Sequence, residues 1–176
     1  NPADADADVT AGNVTLTALS GAIGANDAYI HIDTRTGGTL TATATDDIYI
    51  RELTDLAVHT VTTPTGNVYL EAVGSMTNGK AAGTVISAVK LLLTAGQNIG
   101  AADNLLRTAV ANLEGTAQNG GLWLANTGNL TLGGFTGFVG ASSSGALKLT
   151  SSGTMTILEH IRAENSVELT AVDAAV

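Results

Sequence analysis

"GNVTLTA", residues 12–18, is the phrase whose reading decides the fold. Val14, Leu16 and Ala18 alternate with Thr15 and Thr17, the period of a β-strand with one buried face. The Gly-Asn pair in front of it supplies turn conformations. The phrase is then rewritten along the chain as "GNVYLEA" (66–72), "VKLLLTA" (89–95), "GNLTLGG" (128–134), "GALKLTS" (145–151) and "SVELTA" (166–171). The apolar positions of these and related segments form the expected inward ladder. They are Val14, Leu16, Ile48, Ile50, Val68, Leu70, Leu91, Leu93, Leu122, Leu124, Leu130, Leu132, Leu147, Leu149, Val167 and Leu169.

A longer period runs above the short one. Leu16, Leu93 and Leu169 hold the same place in their phrases, 77 and then 76 positions apart. Ile23 and Ile99 differ by 76, and "DDIYIRELTDLAV" (46–58) lies over "GGLWLANTGNLTL" (120–132) at an offset of 74. Met76 matches Met155 at 79. Such drift belongs to turns that gain or lose residues while strands keep their register. The chain therefore reads as one segment, 1–176, with a terminal insertion or linker (1–8), two long repeats (9–88 and 89–165) and the start of a third (166–176).

Many short alternating strands fit either a sandwich or a solenoid, but a sandwich does not normally repeat its own sequence. In a solenoid every coil meets the same environment, so similar phrases recur and stack. The expectation is an all-β parallel solenoid of roughly 20-residue coils, some eight or nine of them, about 40 Å long. "AADNLLRTAVANLEG" (101–115) is the best helix candidate. Its counterpart in the first copy, "NDAYIHIDTRTGGTL", reads as strand, so the helix is rejected.

Composition narrows the function classes. Hydrophobic residues make up 44% and aromatic residues 3%, which suits a thin layered interior better than a thick globular one. Seven Lys and Arg stand against 16 Asp and Glu, and no cationic cluster exists to hold a phosphate backbone, so nucleic acid is not an expected partner. There is no cysteine for disulfide or thiolate-metal chemistry, and no run approaches 18 apolar residues. Beginning at Asn1, the sequence reads as a piece of a longer parent chain.

"GNVTLTALSGAIGA", "LLLTAGQNIGAADNLLRTAVANLEGTA" and "LWLANTGNLTLGG" resemble the repeats of filamentous haemagglutinin-like exoproteins of bacterial two-partner secretion systems. The resemblance spans Val9 to Ala171, with the order "LTAGxNIG" then "NLLRT" its most telling part. It implies a right-handed parallel β-helix shaft, an extracellular or bacterial-surface location, and roles in adhesion, biofilm or toxin display. No "NPNG"- or "NPNL"-type motif is found, and the resemblance then implies an interior part of the shaft. "NPADADADV" and "SMTNGKAAGTVIS" (75–87) depart from the pattern.

Each candidate site also admits a plainer role. Asp4, Asp6 and Asp8 fall on one face of an extended segment and form a weak Ca²⁺ candidate. No calcium-loop spacing accompanies them, and a solvated terminus is the better reading. Asp46, Asp47, Glu52 and Asp55 offer carboxylates for sugar chemistry, but Gly120, Gly121, Asn126 and Asn129 stand over them in the second copy, which fits turns. His31, His59 and His160 are isolated surface residues. No cofactor is expected and the chain is read as a non-enzyme.

Binding remains the alternative to a spacer. Tyr49 and Trp123 are equivalent outward positions, Tyr69 follows on a later strand, and Phe138 sits in the Gly- and Ser-rich loop 133–145, so these four are candidate contacts for a host glycan or protein. Phe135 aligns with Val61 and is expected in the core. Open strand edges at both ends allow end-to-end self-association. "TLTATAT" (39–45) puts four threonines on one side of a strand. Ordering water against ice needs that ladder on successive coils, and the neighbouring phrases "YIRE", "VHTV" and "YLEA" break it, so this reading is set aside.

Overall fold

The computed structural model describes residues 6–136 and 139–172. In chain order the strands are β1 Val9–Ala11, β2 Val14–Thr17, β3 Ile30–Thr34, β4 Leu40–Thr43, β5 Ile48–Glu52, β6 Leu56–Thr62 and β7 Val68–Ala72. There follow β8 Met76–Asn78, β9 Ile86–Ser87, β10 Lys90–Ala95, β11 Leu106–Ala109, β12 Asn112–Ala117 and β13 Leu122–Asn126. The last are β14 Leu130–Leu132, β15 Ala141–Ser143, β16 Ala146–Ser151, β17 Met155–Ile157, β18 Ile161–Ala163 and β19 Ser166–Ala171. No helix occurs among the described residues, so none there is long and apolar enough to cross a membrane.

The strands alternate between two parallel sheets. The first runs β1-β3-β5-β7-β10-β12 and ends in the split rungs β14/β15 and β17/β18. The second runs β2-β4-β6, then the split rung β8/β9, then β11-β13-β16-β19. This is a β-solenoid of about seven coils with roughly 22 residues per turn, fewer and longer coils than the sequence spacing suggests. The difference comes from excursions that leave a strand and rejoin the same rung. Residues 79–85 separate β8 from β9, which both pair with β6, and residues 133–140 separate β14 from β15, which both pair with β12.

The interior is built from ladders of like side chains. Ile30, Ile50, Leu70 and Leu93 stack in one sheet, and Leu56, Met76, Ile99, Leu122 and Leu147 in the other. From Ile48 to Leu149 the expected ladder residues are at most 1% exposed, and Val14 is 3% exposed. Three expected core residues differ. Leu16 and Leu169 are only half-buried and Val167 is 48% exposed. They sit on the outermost rungs of the described stack, where a rung is covered on one side only.

The long repeat acquires a physical meaning from this alternation. An offset of 76 or 77 residues is about 3.5 turns of 22. Equivalent phrases therefore land on opposite sheets: Leu16 on β2 and Leu169 on β19 belong to the second sheet, and Leu93 on β10 to the first. Ile48 lies in the first sheet and its counterpart Leu122 in the second. The half-coil is the unit that repeats, an odd number of times, and either sheet accepts it because both inner faces make the same demand.

A local feature repeats with the phrases. After Ile23 and again after Ile99 the chain makes a small closed loop, bridged Ala25 to Ala28 in one copy and Ala101 to Asn104 in the other. Gly24 and Gly100 enter these loops at φ +71° and +70°. A Cβ on Gly100 would lie 2.1 Å from the Trp123 carbonyl oxygen, and one on Gly24 2.6 Å from that of Tyr49. The left-handed conformation and the backbone contact both demand glycine. Gly100→Ala is expected to cost about 2 kcal/mol or more, measured by urea denaturation; a variant as stable as the native chain would contradict the close approach.

Candidate functional site

Outward side chains form the surfaces on which any partner must act. On the first sheet Tyr49 and Tyr69 are register neighbours, and their rings stack with centroids 4.2 Å apart. Tyr29, from the loop after Ile23, meets Tyr49 edge-on at 5.6 Å. Phe135, from the 133–140 excursion, folds back to 5.2 Å from Tyr69, with the Lys90 ammonium 5.2 Å above its ring. Four aromatic rings thus line up along the rod axis. Tyr49 lies inside the row, 9% exposed, with its hydroxyl donating to Asp47 Oδ2 at 3.0 Å.

Burial raises the phenol pKa at both ends of the first pair. Tyr29 is pushed up to about 12 by desolvation and then by the nearby Glu71 carboxylate. Tyr49 rises further, chiefly from desolvation, then from the neighbouring Tyr69 phenol and the Asp47 carboxylate. Both shifts oppose ionisation. Stabilisation from the neutral phenols is complete below the ordinary tyrosine pKa and is lost as pH rises through the raised values.

Several expected relationships are corrected here. Trp123 is half-buried on the second sheet, so Tyr49 and Trp123 form no common stripe; the odd number of half-coils puts them on opposite faces. The Trp123 ring covers Gly121, and the residue pairs with Lys148 on the next rung. Phe135 is not in the core. Its partner by alignment, Val61, is 0% exposed, but the excursion after β14 hands the inward seat opposite Gly115 to Ala141. That excursion also explains why the offset jumps from 74 to 79. The loop itself is shorter than 133–145, because Ala141–Ser143 rejoins the sheet as β15. Phe138 lies outside the described residues.

The acidic candidates are mostly occupied with backbone. Asp8 Oδ2 accepts the His31 N–H at 2.8 Å, Asp47 Oδ1 that of Asn67 at 2.7 Å, and Asp55 Oδ1 that of Ser75 at 2.7 Å. Asp47 and Asp55 flank a five-residue strand, β5, and are held about 17 Å or more apart, too far to act on one bond. Asp4 lies outside the described residues. Among those described, no three His, Asp or Glu side chains converge as a metal site. A groove of about 810 Å³ lies beside the turn 35–39, lined by Asp33, Arg35, Thr39, Thr54, Asp55 and Thr77, with no aromatic platform.

Two carboxylates are buried: Glu52, expected in a turn, and Glu114, which nothing in the sequence singled out. Glu52 is 0% exposed and accepts from the N–H of Thr34 (3.0 Å) and its hydroxyl (2.7 Å), and from the N–H and hydroxyl of Thr54 at 3.2 and 3.1 Å. Glu114, 1% exposed, accepts the N–H groups of Phe135 and Thr136, each at 2.7 Å, and the Thr136 hydroxyl, fixing the base of the excursion. Arg107 does the same for 79–85. Its guanidinium donates to the carbonyls of Gly83 (2.7 Å), Ala81 (3.4 Å) and Lys80 and to Asn78 Oδ1 (3.3 Å).

The outer face of the second sheet is also unlike its expected form. The stacking neighbours of β4 are β2 and β6, since "YIRE" and "YLEA" lie on the other sheet. Register places Thr15, Thr41 and Thr60 in one column and Thr17, Thr43, Thr62 and Ser87 in the next. The threonine ladder therefore does extend over successive coils. Compared with protein-family models, curated proteins and solved structures, the chain matches none.

Proposed function

We propose that this chain is a shaft segment of a large secreted or surface-displayed bacterial exoprotein, a rigid spacer serving adhesion, biofilm or surface display. One observation carries the reading: a single contiguous core runs through the described rungs, and the corners are stapled from coil to coil. Asn13, Asp47, Asp55, Asn98 and Asn129 each accept an N–H from the following coil. Backbone hydrogen bonds between the rungs lie along the rod axis, the direction in which a shaft carries load. The phrases that resemble haemagglutinin-like repeats agree with this role.

Pulled between its termini, the chain is expected to resist and then yield coil by coil, each coil releasing about 22 residues and so about 7 nm of chain. Force spectroscopy reads this directly. Smooth extension at low force would remove the spacer reading. A second reading, a glycan- or protein-binding module, draws on the row of Tyr29, Tyr49, Tyr69 and Phe135, of which Tyr49 is buried and the other three are half-buried. It requires saturable binding on a glycan or matrix-protein array.

A further inference from the structure

We propose that the outer face of the second sheet, over β2, β4 and β6, binds the surface of ice. Six threonines occupy it as a two-by-three lattice: Thr15 and Thr17, Thr41 and Thr43, Thr60 and Thr62. Rungs of a parallel sheet repeat at about 4.8 Å, and alternate residues of a strand at about 6.6 Å. These lie near the two oxygen repeats on a prism face of hexagonal ice. Threonine presents a methyl group and a hydroxyl on a side chain that is stiff at χ1, so little entropy is lost when water orders over it.

The lattice depends on an irregularity that also serves the core. Between β4 and β6 the register steps from Leu40 opposite Val58 to Thr41 opposite Thr60, passing over His59. Without that bulge Thr41 would face His59, and Val61 would point to solvent. With it Thr60 and Thr62 complete both columns and Val61 turns inward at 0% exposure. Charge is the second independent feature. β2, β4, β6, β8 and β9 contain no Asp, Glu, Lys or Arg in a chain with 16 acids and seven bases. Charged groups hold their own hydration and would compete with an ice-like layer. The lattice is bordered by His59 and by the 79–85 excursion, which limits it to a small patch and to modest activity.

The test is ice recrystallisation inhibition by the intact chain at micromolar concentration, against equal mass of an inert protein. Suppressed crystal growth is expected, with loss of suppression in Thr41→Lys/Thr43→Lys. Thr150→Lys, on the far part of the same sheet, should keep it, and circular dichroism should show the fold retained in both. Partition of the labelled native chain into a slowly growing ice hemisphere gives a readout that needs no variant. Exclusion from the ice, absence of suppression, or equal suppression by the folded double variant would each overturn the proposal.

Discussion

Leu93→Asp is expected to abolish the cooperative unfolding transition of the chain. Leu93 is 0% exposed between Leu70 on one rung and Gly115 on the next, inside the hydrophobic core. The Leu122 methyl Cδ1 lies 3.1 Å from where a Gly115 Cβ would stand, so the space beside the glycine is already filled. A carboxylate placed there loses its hydration and gains no partner, at a cost of several kcal/mol. A domain of this size has only about 5–15 kcal/mol of net stability. In a solenoid the damage is also topological: each coil contacts only its neighbours, so a break at mid-rod leaves two short pieces that cannot support one another. Leu169→Asp occupies the same place in its phrase but sits half-buried on the last described rung, and a much smaller loss is expected. Thermal and urea melts of both variants check the pair. An unchanged melt for Leu93→Asp would refute the buried ladder.

Strand periodicity was legible because alternation is local, and the parallel solenoid because repetition is visible without knowing what touches what. The ladder from Ile48 to Leu149 follows from those two facts. What stacks on what was not legible. The rung above β4 is β6, not β5, and the difference between adjacent in sequence and adjacent in space is one half-coil. For that reason Tyr49 and Trp123 separated onto opposite faces while the threonines came together. Phe135 was misplaced because an excursion hides inside a rung: alignment carries it onto Val61, whereas pairing gives the inward seat to Ala141. Glu52 reads as a turn residue and Glu114 stands out in no way, since nothing in an isolated strand shows which carboxylate the next coil will bury. One signal was present. Thr34 and Glu52 recur 74 positions later as Thr108 and Asn126, a polar pair preserved between sheets.

That pair leads to the second large effect. Glu52→Ala is expected to cost about 3 kcal/mol, because the buried N–H and hydroxyl of Thr34 lose their acceptor, while the exposed Thr54 loses two further bonds to it. Asn126 shows how a neutral group meets the same demand. Its Oδ1 accepts the Thr108 hydroxyl at 2.9 Å and the Val110 N–H at 3.0 Å, while its Nδ2 donates to the Val110 carbonyl at 3.1 Å. Thr108 and Asn126 are buried to the same degree as Thr34 and Glu52, on the opposite sheet. If the two corners are one device in two copies, Glu52→Asn should recover more than half of what Glu52→Ala loses, because the amide can accept from Thr34 and donate to the corner carbonyls. Urea midpoints of the three proteins decide it. Equal loss in the alanine and asparagine variants would mean that the corner needs a carboxylate in particular. A Glu52→Ala variant as stable as the native chain would mean that the buried hydrogen bonds do not hold the turn at all.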